Sequence, residues 1–205
     1  MLQASHLSCI RGDRELFSGV GFDLAPGGLL RLLGANGAGK TSLLRLLCGL
    51  LRPDTGSIQW HGLATEADAD AFHAAMLYLG HQNALQDALT VQENLAFYAA
   101  LEGDAGQATR TTQALTRMGV RACQHRLVRH LSQGQKRRVA LSRLLLTQAS
   151  LWILDEPFVA LDHAAILTLA DVISEHLQRG GMVILTSHQD VPIAARQEQS
   201  LELGA

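Results

Sequence analysis

Residues 34–41 read Gly34-Ala35-Asn36-Gly37-Ala38-Gly39-Lys40-Thr41, between the apolar run "LLRLL" and the leucine-rich stretch "SLLRLL". The stretch fits GxxxxGK[ST] without a mismatch. Few features constrain a fold as tightly. The glycines let successive backbone N–H groups turn inward on one anion, and the helix that follows adds the positive end of its dipole. An apolar strand before and a helix after are the context this turn requires, so the chain is expected to carry a nucleotide-phosphate site on an α/β scaffold. Lys40 reaches the β- and γ-phosphates, the Thr41 hydroxyl is a candidate Mg²⁺ ligand, and Ser42 continues the loop into the helix.

Other short apolar runs bounded by turn residues support a parallel sheet buried on both faces: "MLYLG" at 76–80, "LWILD" at 151–155 and "MVILT" at 182–186. Ile166, Ala170, Ile173 and Leu177 fall at helical spacing, and "QRGG" at 178–181 stops that helix. "RPDTGSIQWHG" at 52–62 reads as a turn and strand on an antiparallel edge sheet. Residues 84–130 lack a buried-strand pattern and read as an inserted helical subdomain, with 1–83 and 131–205 forming the α/β core of a single domain. "LEGDAGQATRT" at 101–111 is its expected mobile loop.

With 205 residues, 47% of them hydrophobic, the chain can bury the core of about one domain. A formal charge of −2 gives no global footprint for nucleic acid, so no nucleic-acid partner is expected. The three cysteines, Cys9, Cys48 and Cys123, are widely spaced without a CxxC, which fits a reducing compartment. The N-terminal stretch has no apolar region of signal-peptide type, and "LLRLLCGLL" is too short to span a bilayer. Any membrane role is therefore expected to run through a partner.

Asp155 and Glu156 end the run "LWIL", where a strand delivers side chains to the ligand-binding edge of an open α/β sheet. Asp155 is the expected Mg²⁺-side carboxylate and Glu156 the general base for an attacking water. "LSQGQKRRVALSRLLL" at 131–146 could be simply an amphipathic helix with a capping box formed by Ser132 and Gln135. Yet Lys136, Arg137 and Arg138 occupy its first turn, where the helix dipole disfavours cations. An anion held there would relieve the conflict.

This stretch just upstream of "LWILDEP" makes the chain resemble the ATP-binding subunits of ATP-binding cassette (ABC) transporters, over nearly all of its length. The resemblance implies a P-loop NTPase fold of ABC type with ATP and Mg²⁺ as cofactors. It implies that Gln82 is the Q-loop glutamine, contacting Mg²⁺ or water and coupling the site to a membrane subunit. Ser132, Gly134 and Gln135 would be the signature that meets the γ-phosphate held by a second copy. Ala160, Leu161 and Asp162 resemble the D-loop, and His188 the switch histidine. Two ATP molecules would then be sandwiched in a head-to-tail homodimer. Two positions depart from the pattern: Gln133 stands where glycine is usual, and Arg11 stands near the usual adenine-stacking aromatic. Arg11 could stack through its guanidinium plane, and GTP stays open beside ATP.

The stretches "LFSGVGF", "GHQ", "LWILDEPFVALD" and "LTSHQ" resemble the ATPase subunits of cytochrome c maturation, the haem-exporter type. That likeness implies a peripheral ATPase on the cytoplasmic face of the bacterial inner membrane, with integral membrane partners such as CcmB and CcmC. Another small-substrate ABC exporter is the alternative. No CxxCH is present, and direct haem ligation by this chain is not expected. The groove around residues 83–101 is the candidate docking surface, with Phe97 and Tyr98 as either anchors or core residues.

Overall fold

In the computed structural model, which describes residues 1–101, 103 and 108–204, two sheets share one chain. The first is antiparallel, in the order β2 (Arg14–Leu24), β1 (Leu2–Arg11), β4 (Thr55–Trp60), β5 (Leu63–Ala64). The strand expected within 52–62 is β4, paired antiparallel with β1 and β5. The second sheet is parallel throughout, in the order β6 (Met76–Leu79), β7 (Leu151–Leu154), β8 (Met182–Thr186), β3 (Gly28–Leu33), β9 (Gln197–Glu202).

The apolar runs form the interior of the parallel sheet because their alternate residues enter two different cores. Leu30, Leu32, Leu151, Ile153, Met182 and Ile184 join a cluster with β1, β2 and helix α1 (Lys40–Leu47). Their neighbours Leu29, Trp152, Leu154, Val183 and Leu185 join a second cluster on the other face. Strands with both faces covered need apolar residues at every position, unlike the alternating pattern of a half-solvated strand. These strands share one buried layer, and its carboxyl edge is left open for the loops.

Strand β9 carries no apolar run. As the edge of the sheet it keeps Gln197, Glu198, Gln199 and Ser200 polar, and it docks on β3 by backbone pairing from Gly28 to Leu33. The buried Arg31 of β3 pairs with Glu198 and donates to the Val191 carbonyl.

Helix α2 (Ala69–Ala74) precedes β6. Between 84 and 130 the described residues form α3 (Val91–Leu101), α4 (Ala108–Arg117) and 3-10 turns at Arg121–Cys123 and Val128–His130. Val91, Leu95, Leu115, Met118 and Val128 pack into the same cluster as Trp152 and Leu154. The expected mobile loop at 101–111 includes residues 102 and 104–107, which lie outside the described residues. Helix α5 (Gln133–Leu141) follows, and α6 (His163–Gln178) buries Ala170, Ile173 and Leu177 on the sheet before Gly180 at φ 90 ends it.

Candidate nucleotide site

Strand β3 ends at Leu33, and the phosphate loop begins with Gly34 at φ 135. A Cβ there would stand 2.5 Å from the Leu203 carbonyl oxygen, so only glycine lets the loop pass the end of β9. Gly39, at φ 98, caps α1, and a Cβ on it would meet Phe17 at 3.0 Å. The loop therefore owes its curvature to packing against β2 and β9 as well as to its own glycines.

The inner face of the loop opens on a cleft of about 1010 Å³, lined by Ala35, Asn36, Gly37, Gly39, Lys40, Thr41 and Ser42. Gly34 and Ala38 do not line it, and the Ala38 methyl lies close to Gly204. Lys40 folds over the loop, its Nζ donating to the carbonyls of Gly34 at 2.7 Å and Ala35 at 3.2 Å. Lys40 thereby places a cation at the loop, where an anion would be favoured.

Opposite the loop stands the end of β7. Asp155 is buried, accepts from the Thr41 hydroxyl at 3.0 Å through Oδ2, and accepts from the Thr186 hydroxyl at 2.8 Å through Oδ1. Thr186, the last residue of β8, also accepts from the Glu156 N–H at 2.8 Å. Glu156 adopts φ 49, unusual for a residue with a side chain. His188 Nε2 lies 3.1 Å from Asn36 Oδ1 and 3.4 Å from Glu156 Oε1. Gln82 reaches the same cleft from the segment after β6. One cleft thus gathers a phosphate loop, a hydroxyl–carboxylate pair suited by its hard oxygens to a divalent cation, and a carboxylate–imidazole pair.

The signature residues stand elsewhere. Ser132 caps α5, accepting from the Gln135 N–H at 3.2 Å, while the Gln135 side chain accepts from the Ser132 N–H at 3.0 Å. This is the capping box expected from the sequence. A Cβ on Gly134 would stand 2.9 Å from the Ala160 carbonyl, so the start of α5 lies close against the segment leading into α6. Asp162 caps α6 through Ala165 and pairs with Arg138. None of Ser132, Gly134, Gln135 and Asp162 lines the cleft of their own chain.

The three cations at the start of α5 are also held within the chain itself. Each has a partner in the chain: Lys136 pairs with Asp87 at 2.7 Å, Arg138 with Asp162, and Arg137 is buried against backbone carbonyls. The dipole conflict is relieved by side chains and carbonyls of neighbouring loops.

The sequence profile of the ABC transporter family matches residues 17–159. A cytochrome c biogenesis ATP-binding export protein CcmA from Albidiferax ferrireducens is 54% identical over 204 residues, covering 100% of this chain and 97% of its relative. The chain belongs to the ABC transporter family, among the CcmA proteins. A second CcmA, from Dechloromonas aromatica, is 50% identical over 100% of both chains. The solved dimeric structure of an ATP-binding cassette in a post-hydrolysis state, bound to ADP and Pi, superposes with a TM-score of 0.84. It is 19% identical and covers 100% of this chain and 97% of its own, a likeness of fold.

Several cleft residues carry no motif. Leu16 of β2 forms the wall beside Gly39, whereas Arg11 sits exposed at the end of β1 and does not line the cleft. Arg45, Tyr78 and Arg143 line the far side, with Arg143 stacked over the Tyr98 ring at 3.6 Å. Tyr98 also donates to the Ala84 carbonyl, while Phe97 is exposed. Burial, then Asp155 and Cys48, raise the Tyr78 pKa against the lowering contact of Arg45. Cys48 behind it is pushed up to about 12 by burial and by Asp155, which keeps that thiol protonated and unreactive. Only a signal of position relative to the phosphate loop could have found Leu16, since an aliphatic strand residue is otherwise a core residue.

Proposed function

We propose that the cleft binds ATP on the phosphate loop and that Glu156 is the general base of its hydrolysis. Lys40 and the loop N–H groups hold the β- and γ-phosphates, and they stabilise the charge that shifts toward the leaving ADP. Glu156 accepts a proton from the attacking water as its oxygen bonds to the γ-phosphorus and the bond to ADP breaks. His188, within reach of both Glu156 and Asn36, orients that carboxylate and the γ-phosphate end of the loop. Thr41, Asp155 and Gln82 are the residues that would hold Mg²⁺, which supplies charge neutralisation on the phosphates when bound.

The observation that carries this reading is a division within one chain. The loop, Asp155, Glu156 and His188 share one cleft, while the capped start of α5 with Ser132, Gly134 and Gln135 lies outside it. A second copy placed head to tail would bring its signature to the open side of the cleft and sandwich the ATP. Dimer closure on ATP and opening after hydrolysis is the mechanical output of an ABC motor. Among the described residues no helix is long and apolar enough to cross a membrane, and in this reading the output passes to separate integral membrane subunits.

The likeness to CcmA proteins supports c-type cytochrome biogenesis as the process, with ATP turnover driving haem export or release of a haem-loaded partner. In that role the chain works peripherally on the cytoplasmic face of the inner membrane, with CcmB- and CcmC-type subunits docking on the groove at 83–101. Residues 84–130 act as the helical subdomain of the single ATPase domain.

The test is the Glu156→Gln variant, assayed for ATP binding and turnover and then used to capture partners from native membranes in ATP. Retained binding, lost turnover and co-purifying haem-handling membrane subunits are expected. Full turnover would show that Glu156 is not the base. An unrelated permease in the capture would overturn the haem assignment.

A further inference from the structure

Arg137 lies in helix α5, yet its guanidinium reaches into two other segments. Nη2 donates to the carbonyls of Asp155 at 3.0 Å and Glu156 at 2.7 Å, and Nε donates to the Pro157 carbonyl at 3.4 Å. Nη1 donates to the Gly80 carbonyl at 3.2 Å and to Asn83 Oδ1 at 3.3 Å. Gly80 and Asn83 flank Gln82, and the other acceptors form the turn at the end of β7. The residue is 5% exposed, so few of its donors are left to water.

A buried cation with this many donors in a planar fork fixes the geometry of what it touches. Burial lowers the Arg137 pKa, and the nearby charges of Asp155 and Glu156 raise it again. The group it fixes most closely is under backbone strain. Glu156 sits at φ 49, its N–H held by Thr186 at 2.8 Å and its carbonyl by Arg137 at 2.7 Å. A left-handed conformation of a glutamate persists where its surroundings over-determine it. Here two residues from different elements do so, one from β8 and one from α5.

We infer that Arg137 is a positioning residue for hydrolysis: it pins the backbone of Glu156 in its left-handed conformation and ties the Gln82 segment and the start of α5 to that pin. Movement of α5 against a second copy's nucleotide, or of the Gln82 segment against a membrane subunit, is thereby read at the carboxylate that handles the attacking water. Arg137 does not line the cleft, and its effect passes through the Asp155–Pro157 backbone. The inference rests on the reading of Glu156 as general base.

A lysine at this position keeps the charge but has one ammonium where five contacts are made, so it loses the fork and keeps much of the packing. Arg137→Lys in the full chain is expected to lower kcat by about tenfold or more, the scale of a misaligned catalytic group. ATP affinity should stay within about threefold, because the phosphate loop is untouched. Thr186→Val removes the other half of the pin, and combining it with Arg137→Lys is expected to cost little more than the worse single change. Thermal midpoint is followed alongside, and where Arg137→Lys does not fold, Arg137→Gln is read in the same assays.

Unchanged kcat in Arg137→Lys, or a kcat loss that scales with equal losses of ATP affinity and thermal midpoint, would overturn the inference. So would fully additive effects of the two substitutions. If the unmodified chain hydrolyses no ATP, the functional reading itself fails. If it does hydrolyse ATP and Arg137→Lys is indifferent, only the positioning role of Arg137 fails.

Discussion

The Thr41 hydroxyl donates to Asp155 Oδ2 at 3.0 Å, joining the first turn of α1 to the end of β7 across 114 residues of chain. Both are oxygen groups at the mouth of the phosphate loop, and both are the right chemistry for a hard divalent cation. Removing the cation should therefore abolish turnover. Hydrolysis is expected to stop in excess EDTA and return on adding Mg²⁺. Asp155→Asn should cut the Mg²⁺-supported rate by about 100-fold. Steady turnover in EDTA would separate this pair from the chemistry.

Lys40 holds two loop carbonyls, and in ATP it would exchange them for phosphate oxygens. A charge-assisted contact of this kind contributes about 1.5–3 kcal/mol. Lys40→Ala is expected to weaken ATP binding by about tenfold to 100-fold in calorimetry, with little change in thermal midpoint. Equal affinity in the variant would place the nucleotide elsewhere.

How much of the fold and the site is legible in the sequence follows from the distance over which each feature is made. The phosphate loop and the Ser132–Gln135 capping box are local, built from residues close together in the chain, and pattern alone reveals them. Asp155 and Glu156 are legible because an apolar run must end somewhere, and its end marks the sheet's edge. The partners of Arg137 lie 18 to 57 residues away, so its burial could not be read from a basic run that normally signals a solvated helix start. Strand β9 is hidden because an edge strand can hold the sheet by backbone pairing while "QEQSLE" stays largely polar. Leu16 is hidden because nothing in its type separates a cleft wall from a core position.

The Leu16 side chain brings apolar surface and no hydrogen-bonding group to the wall beside Gly39. A base lying against this wall would be gripped there by contact alone, which discriminates weakly between purines, whereas a hydrogen-bonding wall discriminates strongly. GTP is expected to compete with ATP within about tenfold in a displacement titration. A preference far greater than that would mean that a polar group recognises the base. Leu16→Trp should tighten both nucleotides by supplying a stacking face.

His176 of α6 stacks on Trp152 of β7 with ring centroids 3.7 Å apart and an interplanar angle of 8°. Burial lowers its pKa from 6.5 to about 4, outweighing the raising contacts at Ser150 and Met182. The unfolded chain therefore binds a proton that the folded chain refuses between those values. Its contribution to stability is complete above about pH 6.5 and is lost as pH falls toward 4. His176→Phe keeps the stack and removes the titration. The gap in thermal midpoint between the variant and the parent should move in the variant's favour from about pH 7 to about pH 5, by a few degrees. A gap independent of pH would show that His176 does not titrate in this window.

In the proposed dimer the cleft is half of a site, completed by the signature of a second copy. The most direct measurement is the solution mass of Glu156→Gln by light scattering, with and without saturating ATP and Mg²⁺, in parallel with the same variant carrying Ser132→Arg. Twice the chain mass is expected in ATP, the single-chain mass without it, and no ATP-dependent dimer once Ser132 is replaced. A mass that stays at one chain in saturating ATP, or an ATP dimer indifferent to Ser132→Arg, would contradict the shared site.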